Sequence, residues 1–182
     1  AAILAMFFVQ SGYLFDRDWL SAGEAVAGGV RAGEWWRAVT ALTLHADLAH
    51  VVGNAVFGAF FAYLAGQLAG SGLALLNITI AGAAGNAANA WLQLPEHRSI
   101  GASTAVFAAL GIVAVHAWVN RRGWARGWAR RSAPLVGAVA LLTYLGTGDE
   151  HTDIVAHLTG FLMGAVGGVL TIGHASTTGS RN

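Results

Sequence analysis

The sequence contains no cysteine and carries little charge. The absence of cysteine excludes disulfides, thiolate nucleophiles and metal sites built on thiolates. Only 10% of the 182 residues are Asp, Glu, Lys or Arg, whereas a soluble domain carries about 25% charged residues. With 55% apolar residues and a mean hydropathy of +0.57, the chain has too few charges to cover a water-facing surface. This composition indicates an integral membrane protein.

Segments without Asp, Glu, Lys or Arg cover residues 48–95, 99–120, 132–148 and 154–180. A membrane span needs ~20 mainly apolar residues, so the first segment is long enough for two spans, divided at the glycine-rich stretch 66–72. With the apolar N-terminal stretch, the sequence predicts six spans and one long loop at 16–47. The predicted spans are 1–15, 48–66, 72–94, 101–119, 133–147 and 154–173.

The predicted fold is an all-α membrane protein, a six-helix bundle with one domain over residues 1–182. Only helices and closed barrels satisfy the backbone polar groups in lipid, and the apolar runs lack the period-two alternation of a barrel. The first span has no basic segment before it and more spans follow. We therefore do not interpret it as a cleaved signal peptide.

The distribution of arginine predicts the orientation in the membrane. Five arginines and no acid lie between spans four and five, Arg181 follows span six, and all nine acids lie in the other loops. By the positive-inside rule the arginine-rich ends are cytoplasmic. We therefore predict cytoplasmic termini and a plasma-membrane location. Trp19, Trp35 and Trp36 predict that the loop 16–47 lies at the outer membrane interface, which tryptophan favours.

Three polar positions lie at the outer ends of spans two, four and six. His50, Ser103 and His157 each follow the last outer charged residue by three to five positions, which is ~5–10 Å along a helix. Polar and ionisable side chains are costly inside a membrane and indicate function by default. A serine and two histidines at one depth predict a serine hydrolase site that opens to the outer face.

Ser103 is the candidate nucleophile and His157 the candidate base. A serine at a helix start also caps the helix through its hydroxyl, whereas a nucleophilic serine needs an adjacent base. Gly160, Gly164 and Gly168 follow His157, and such small-residue spacing lets another helix approach closely. We expect this face to bring His157 to Ser103, although packing alone would also account for the glycines.

His50 and Asn54 are the candidate oxyanion donors. They are spaced i, i+4 and share one helix face, so that both side chains could donate to a developing oxyanion. Hydrogen bonds between them or to the backbone are the alternative. Phe107, one turn after Ser103, is expected in the core or against the His157 ring. Asp153 precedes His157 by one turn and is expected in the aqueous loop, which leaves a Ser–His dyad.

These residues resemble motifs of the rhomboid family of intramembrane serine proteases, over about 34–168. The resemblance consists of a Trp-Arg motif in the first outer loop, a second-helix pattern of two histidines and an asparagine, a nucleophile motif and a sixth-helix histidine–glycine motif. In this sequence they are Glu34–Thr40, His45 with His50 and Asn54, Gly101–Ser103, and Ala156–His157 with Gly160 and Gly164.

The resemblance implies a six-helix core with Ser103 as nucleophile and His157 as base. The oxyanion site would consist of His50, Asn54 and the N–H group of Ser103. The implied substrates are single-span membrane proteins, cut in or near the outer part of their spans, often beside small residues. The resemblance implies no metal ion, organic cofactor or nucleic acid. The residues expected to support the site are Gly101, His45, Phe107, Gly160 and Gly164.

Thr104 is the main departure from the family pattern, which usually has glycine after the serine. Its side chain would either crowd the site or point sideways without effect. The alternative function is therefore a catalytically inactive rhomboid-like protein that binds membrane clients. The presence of both Ser103 and His157 argues against it.

A haem protein and a small transporter are further alternatives. Seven histidines favour haem or metal binding, but ligation between spans needs histidines that face each other across a bundle, and His45 and His50 should diverge around a helix. A transporter predicts a polar path through both halves of the bilayer, whereas the inner halves are mostly apolar. The exceptions are His116, Asn77, Asn86 and Asn89.

Overall fold

The computed structural model describes residues 2–11, 18–120 and 152–178, together with positions 136 and 140. Over these residues the chain is mostly helical, which confirms the predicted class. The fifth predicted span, 133–147, and the arginine-rich segment before it fall outside the described residues except for those two positions. The count of six spans therefore stays a prediction.

Short elements alternate in the first part of the chain, and long helices follow. The elements are α1 (Ala2–Ser11), α2 (Trp19–Gly23), β1 (Ala25–Val26), α3 (Ala27–Arg31), α4 (Trp36–Thr40), a 3₁₀ turn (Ala41–Thr43), α5 (Leu48–Ala69), α6 (Ser71–Leu92), β2 (Arg98–Ser99), α7 (Ser103–Asn120) and α8 (Ile154–Thr178).

Polar and glycine residues at the ends of α5 explain its bounds. Asp47 caps the helix, because its side chain accepts a hydrogen bond from the N–H of His50 at 2.8 Å. The helix ends at Gly70, whose φ of +83° favours glycine. The sequence predicted the turn at 66–72, but α5 continues past Gly66 and the turn is Gly70 alone. Glycine at positions 66 and 72 is accommodated within the helices.

Within the described part of the chain, two helices are long and apolar enough to cross a membrane, Leu48–Ala69 and Ile154–Thr171, and two apolar helices are shorter, Ala2–Ser11 and Ser103–Val119. Large apolar side chains on the outer surface of the bundle are more than half exposed, among them Val56, Phe60, Leu76, Ile80 and Leu170. A water-soluble protein rarely exposes apolar patches of this kind. These faces are therefore those of an integral membrane protein.

Helix α7 lies at the centre of the bundle and packs against α5, α6 and α8. Every residue from Ser103 to His116 is buried or half-buried. The core combines α7 with Phe61 of α5, Ile78 of α6 and Phe161 of α8. The first residue of this central helix is Ser103, so the core fixes the position of the candidate nucleophile.

Helices α7 and α8 meet backbone to backbone. A Cβ atom added to Gly164 would lie 2.6 Å from the Cα atom of Ala108, and one added to Gly168 would lie 3.1 Å from the Cα atom of Ile112. Real Cβ atoms do not approach other atoms at the first of these distances. The four-residue glycine spacing on α8 therefore matches an equal spacing on α7, as the close approach of small-residue faces requires.

Arg37 organises the loop between α1 and α5. Its guanidinium forms an ion pair with Glu34, three residues earlier, and donates to the carbonyls of Ser21, Ala22 and Glu24 at 3.1–3.3 Å. These carbonyls end α2, where a cation also complements the helix dipole. Residues 18–47 thus form a folded layer.

Strand β1 of this loop pairs with β2 in an antiparallel bridge, with Ala25 opposite Ser99 and Val26 opposite Arg98. Arg98 also forms an ion pair with Glu24. The bridge connects the loop directly to the segment that leads into α7. Residues 18–47 are therefore attached to the polypeptide just before Ser103.

Candidate active site

Ser103 and His157 lie within hydrogen-bonding distance. The Oγ atom of Ser103 and the Nε2 atom of His157 are 2.9 Å apart. Ser103 begins α7, and His157 lies in the first turn of α8 with 6% of its surface exposed. If the serine hydroxyl donates, Nε2 accepts and the ring proton resides on Nδ1, which is the arrangement a general base needs. The contact joins residues 54 positions apart.

Phe107 packs on the imidazole ring of His157. The ring centroids are 4.5 Å apart, and the planes are tilted by 36°. Phe107 is 4% exposed and belongs to the buried core. Phe107 was expected in the core or against the His157 ring, and it lies in both places at once. The phenyl ring restricts the rotation of the imidazole.

His50, Asn54, Ser103 and His157 line one cavity of about 840 Å³. Apolar side chains, including Phe57, Val106 and Phe107, form part of its wall. Its charged lining residues are Glu24, Asp47, Arg98 and Asp153. The arrangement combines a hydroxyl, two imidazoles and an amide in one space that has both apolar and charged walls.

Gly101 leaves room for the side chains of His50 and Asn54. A Cβ atom at this position would lie 2.7 Å from Nε2 of His50 and 3.6 Å from Nδ2 of Asn54. Its φ of +118° also favours glycine. Among the described residues, Nδ2 of Asn54 is buried and has no hydrogen-bond partner. Buried donors in proteins are nearly always paired, so this amide is suited to receive an acceptor from a ligand.

His45 supports the segment before Ser103. The N–H of Ala102 donates to Nε2 of His45 at 3.3 Å, and Gln10 of α1 bonds to both backbone polar groups of His45. Burial, and next the nearby imidazole of His50, lower the pKa of His45 to about 4. The ring is therefore neutral at neutral pH and can accept from Ala102.

The rings of His45 and His50 are in edge-to-face contact, with centroids 5.0 Å apart. The expectation that they diverge around a helix was wrong, because His45 precedes the start of α5 and helical spacing does not apply to it. Among the side chains that the structure describes, no three of His, Asp or Glu converge in the way a metal site requires.

Thr104 points away from the cavity and into a helix contact. It is 2% exposed, and its Cγ2 atom faces two glycines, one on α6 and one on α8. A Cβ atom on Gly85 or Gly160 would lie 2.8 or 2.9 Å from it. Thr104 therefore packs sideways in the space that these glycines leave. Gly85 was not identified from the sequence, because nothing in its neighbourhood distinguishes it from other helical glycines.

The polar residues that the sequence left unexplained have structural partners. His116 bonds to Thr171 at 3.0 Å between α7 and α8, and Nδ2 of Asn86 donates to the carbonyl of Ala38 at 2.9 Å. Asn77 packs against the backbone of Gly167. These contacts join helices within the bundle. These contacts explain why the polar residues are there, so a polar transport path is not needed to explain them.

Asp153 lies in a polar cluster and not in the aqueous loop where the sequence placed it. Its side chain is 14% exposed, and its carboxylate accepts hydrogen bonds from Asn89 at 2.7 Å, His97 at 2.8 Å and the N–H of Ala156 at 3.0 Å. Burial opposes ionisation, but the hydrogen bonds outweigh it and lower the pKa of Asp153. Asn89 and His97 are distant from Asp153 in sequence, so spacing could not identify them as its partners.

Comparisons with known proteins assign the same part of the chain to one family. The Rhomboid domain model matches residues 32–174. The putative rhomboid protease YdcA of Bacillus subtilis is 25% identical over 136 residues, which are 75% of this chain and 67% of that protein. Rhomboid-like protease 3 of Toxoplasma gondii is 30% identical over 156 residues, or 82% of this chain.

Rhomboid protease GluP of Bacillus subtilis is 33% identical over 97 residues, or 53% of this chain. The matched regions cover 56% of the Toxoplasma protein and 19% of GluP. The likeness therefore concerns the shared membrane domain.

Proposed function

The chain belongs to the rhomboid family, and on this premise we propose that it is an intramembrane serine endopeptidase with a Ser103–His157 dyad. The observation that carries the proposal is the 2.9 Å contact between Ser103 Oγ and His157 Nε2 inside a cavity. Serine capping alone would need no histidine at that distance. A nucleophile beside its base is the arrangement that acyl transfer requires.

In the proposed reaction, Oγ of Ser103 attacks the carbonyl carbon of a peptide bond while its proton passes to Nε2 of His157. The tetrahedral intermediate collapses as His157 returns this proton to the leaving amine, which leaves an ester on Ser103. His157 then takes a proton from water, and the resulting hydroxide attacks the ester. The second tetrahedral intermediate collapses as its C–Oγ bond breaks and His157 returns the proton to Oγ, which yields the new carboxyl group, the restored serine and a neutral His157.

The oxyanion site of the proposal contains Asn54, His50 and the N–H of Ser103. The unpaired buried amide of Asn54 supports this role, since a donor held ready for developing charge needs no reorganisation during the reaction. The contact of Gly101 with the His50 and Asn54 side chains supports it further, because it keeps both donors next to the nucleophile.

The proposal contains no third catalytic acid. Asp153, one turn before His157, is not assigned this role, because its carboxylate already accepts hydrogen bonds from three other donors. Phe107 takes over part of the orienting role by packing on the His157 ring. Nucleophile and base without a third acid are a known variation on the triad. The packing of Thr104 away from the cavity removes the steric argument for an inactive protein.

The substrates of the proposal are single-span membrane proteins, and the setting is the plasma membrane with both termini cytoplasmic. The apolar outer faces of the helices support a bilayer setting. The charged residues that line the cavity, among them Asp47 and Arg98, support an opening at a membrane surface through which water enters. In the predicted topology this surface is the outer one.

The test is cleavage of a single-span substrate in liposomes by the wild type and by Ser103→Ala and His157→Ala. We expect both variants to fall to background, and a fluorophosphonate probe to label only proteins that retain Ser103. Cleavage that survives in Ser103→Ala would refute the proposed nucleophile. Client binding without cleavage or labelling of the wild type would favour the inactive alternative.

A further inference from the structure

Three polar residues, which we call the Asp153 clamp, join separate elements beside the dyad: Asn89, His97 and Asp153. One carboxylate oxygen of Asp153 accepts from Nδ2 of Asn89 at 2.7 Å and from Nε2 of His97 at 2.8 Å. Asn89 is 2% exposed, and Asp153 and His97 are half-buried at the edge of the bundle. Hydrogen bonds to an ionised partner are about twice as strong as those between neutral groups.

The clamp connects the elements that carry the dyad. His97 lies in the segment that continues through β2 to Ser103, Asn89 lies in the last turn of α6, and Asp153 immediately precedes α8. The other carboxylate oxygen accepts from the N–H of Ala156 at 3.0 Å, and the carbonyl accepts from the N–H of His157 at 3.1 Å. Asp153 is therefore bonded to the turn that contains the candidate base.

The first turn of a helix is the part least held by its own hydrogen bonds, since its N–H groups lack partners within the helix. His157 lies in such a turn. The glycine contact with α7 begins at Gly160, farther along α8. Between that contact and the helix start, the hydrogen bonds of Asp153 and the contacts of His157 with Phe107 and Ser103 join the turn to the rest of the protein.

We propose that Asn89, His97 and Asp153 are positioning residues that hold Nε2 of His157 at the serine. The inference rests on the proposed function. The clamp acts through the backbone of α8 and not on the reacting atoms. Without it the first turn of α8 moves by fractions of an ångström to an ångström, and a misplacement of about 1 Å can cost about 10²-fold in rate.

Two substitutions separate the clamp from ordinary helix capping. Asp153→Ser retains a good N-cap residue, but its short side chain cannot reach Asn89 and His97 together. His97→Ala removes one clamp donor from a partly exposed position and leaves the cap intact, so it tests the proposal even if the first variant folds poorly. Asp18→Ser is the matched control, because Asp18 caps the distant α2 in the same way.

The measurements are kcat and KM for a single-span substrate in liposomes, the stoichiometry of fluorophosphonate labelling and the melting temperature in detergent. We expect His97→Ala and Asp153→Ser to lower kcat about 10–100-fold with unchanged KM and full labelling stoichiometry. Asp18→Ser should match the wild type. His97→Gln, which keeps a donor, should restore most of kcat, and the double variant should be no worse than the poorer single variant.

A wild-type kcat in His97→Ala would overturn the proposal. A loss of kcat that equals the loss of labelled protein would also overturn it, since that pattern reports misfolding. So would a double variant whose loss of kcat is the product of the losses in His97→Ala and Asp153→Ser, because the two residues would then act independently. Ser103→Ala is run in parallel. If it still cleaves, the dyad and the clamp both fail, whereas an inactive Ser103→Ala beside normal clamp variants refutes the clamp alone.

Discussion

Replacement of Gly164 by alanine tests whether the contact between α7 and α8 sets the geometry of the dyad. The added Cβ atom would lie 2.6 Å from the backbone Cα and C atoms of Ala108. Carbon atoms prefer separations of about 3.5–4.0 Å. Because the obstacle is backbone and cannot rotate away, the two helices must separate locally by about 1 Å to restore normal contact.

This separation has a calculable effect at the dyad, two helical turns away. The distance from Ser103 Oγ to His157 Nε2 is 2.9 Å, and an added displacement of about 1 Å exceeds the limit for a useful hydrogen bond. We expect a loss of about 10²-fold in kcat. Overpacking should also lower the free energy of unfolding by about 1–3 kcal/mol.

The assay is the initial rate of substrate cleavage in liposomes, well below the melting temperature of each variant. Gly72→Ala is the control, because a Cβ atom on this helical glycine would meet no atom within 4 Å. We expect it to retain the wild-type rate and melting temperature. A folded Gly164→Ala protein with wild-type kcat would refute the link between helix separation and the dyad.

Three further predictions concern single residues. Asn54→Ala should lower kcat by about 10²–10³-fold with little change in KM, because it removes an oxyanion donor. Steady-state kinetics measure both constants, and a change in KM with wild-type kcat would contradict this role. Thr104→Gly should lower the free energy of unfolding by about 1–2 kcal/mol, because it empties the space against Gly85 and Gly160, and it should not stop cleavage. Denaturant unfolding measures the first effect and the cleavage assay the second. Abolished cleavage would contradict the conclusion that Thr104 packs away from the cavity. Because the pKa of His45 is lowered from 6.5 to about 4, its contribution to stability is complete above pH 6.5 and is lost as the pH falls toward 4. Melting temperatures from pH 4 to 7 should show this slope in the wild type and not in His45→Gln.

The sequence predicted α5, α7 and α8 to within a few residues of their starts, because charged residues interrupt apolar segments at these points. It also singled out His50, Asn54, Ser103 and His157, four of the polar residues that line the cavity, since such residues are rare within spans. The prediction of the turn at Gly70 was less accurate, because three glycines and a serine lie close together there. Only the backbone angle shows which of them ends the helix.

Contacts between residues that are distant in the chain could not be predicted from the sequence. The bonds of Asp153 to Asn89 and His97 cross 64 and 56 residues, and no local periodicity encodes such pairs. The same holds for Thr104 against Gly85. The contact between His45 and His50 was missed for another reason, since helical geometry was assumed for a residue that precedes the helix. Side-chain partners thus depend on the packing of the whole bundle.

The distance in sequence between the two halves of the dyad bears on the biosynthesis of the protein. Ser103 is synthesised 54 residues before His157, which at about 5–20 residues per second corresponds to roughly 3–10 s. During this interval α7 has neither α8 nor the proposed base beside it. In the proposed mechanism the nascent chain is therefore inactive during this interval, and it cannot cleave neighbouring membrane proteins at the site of insertion until α8 has been inserted.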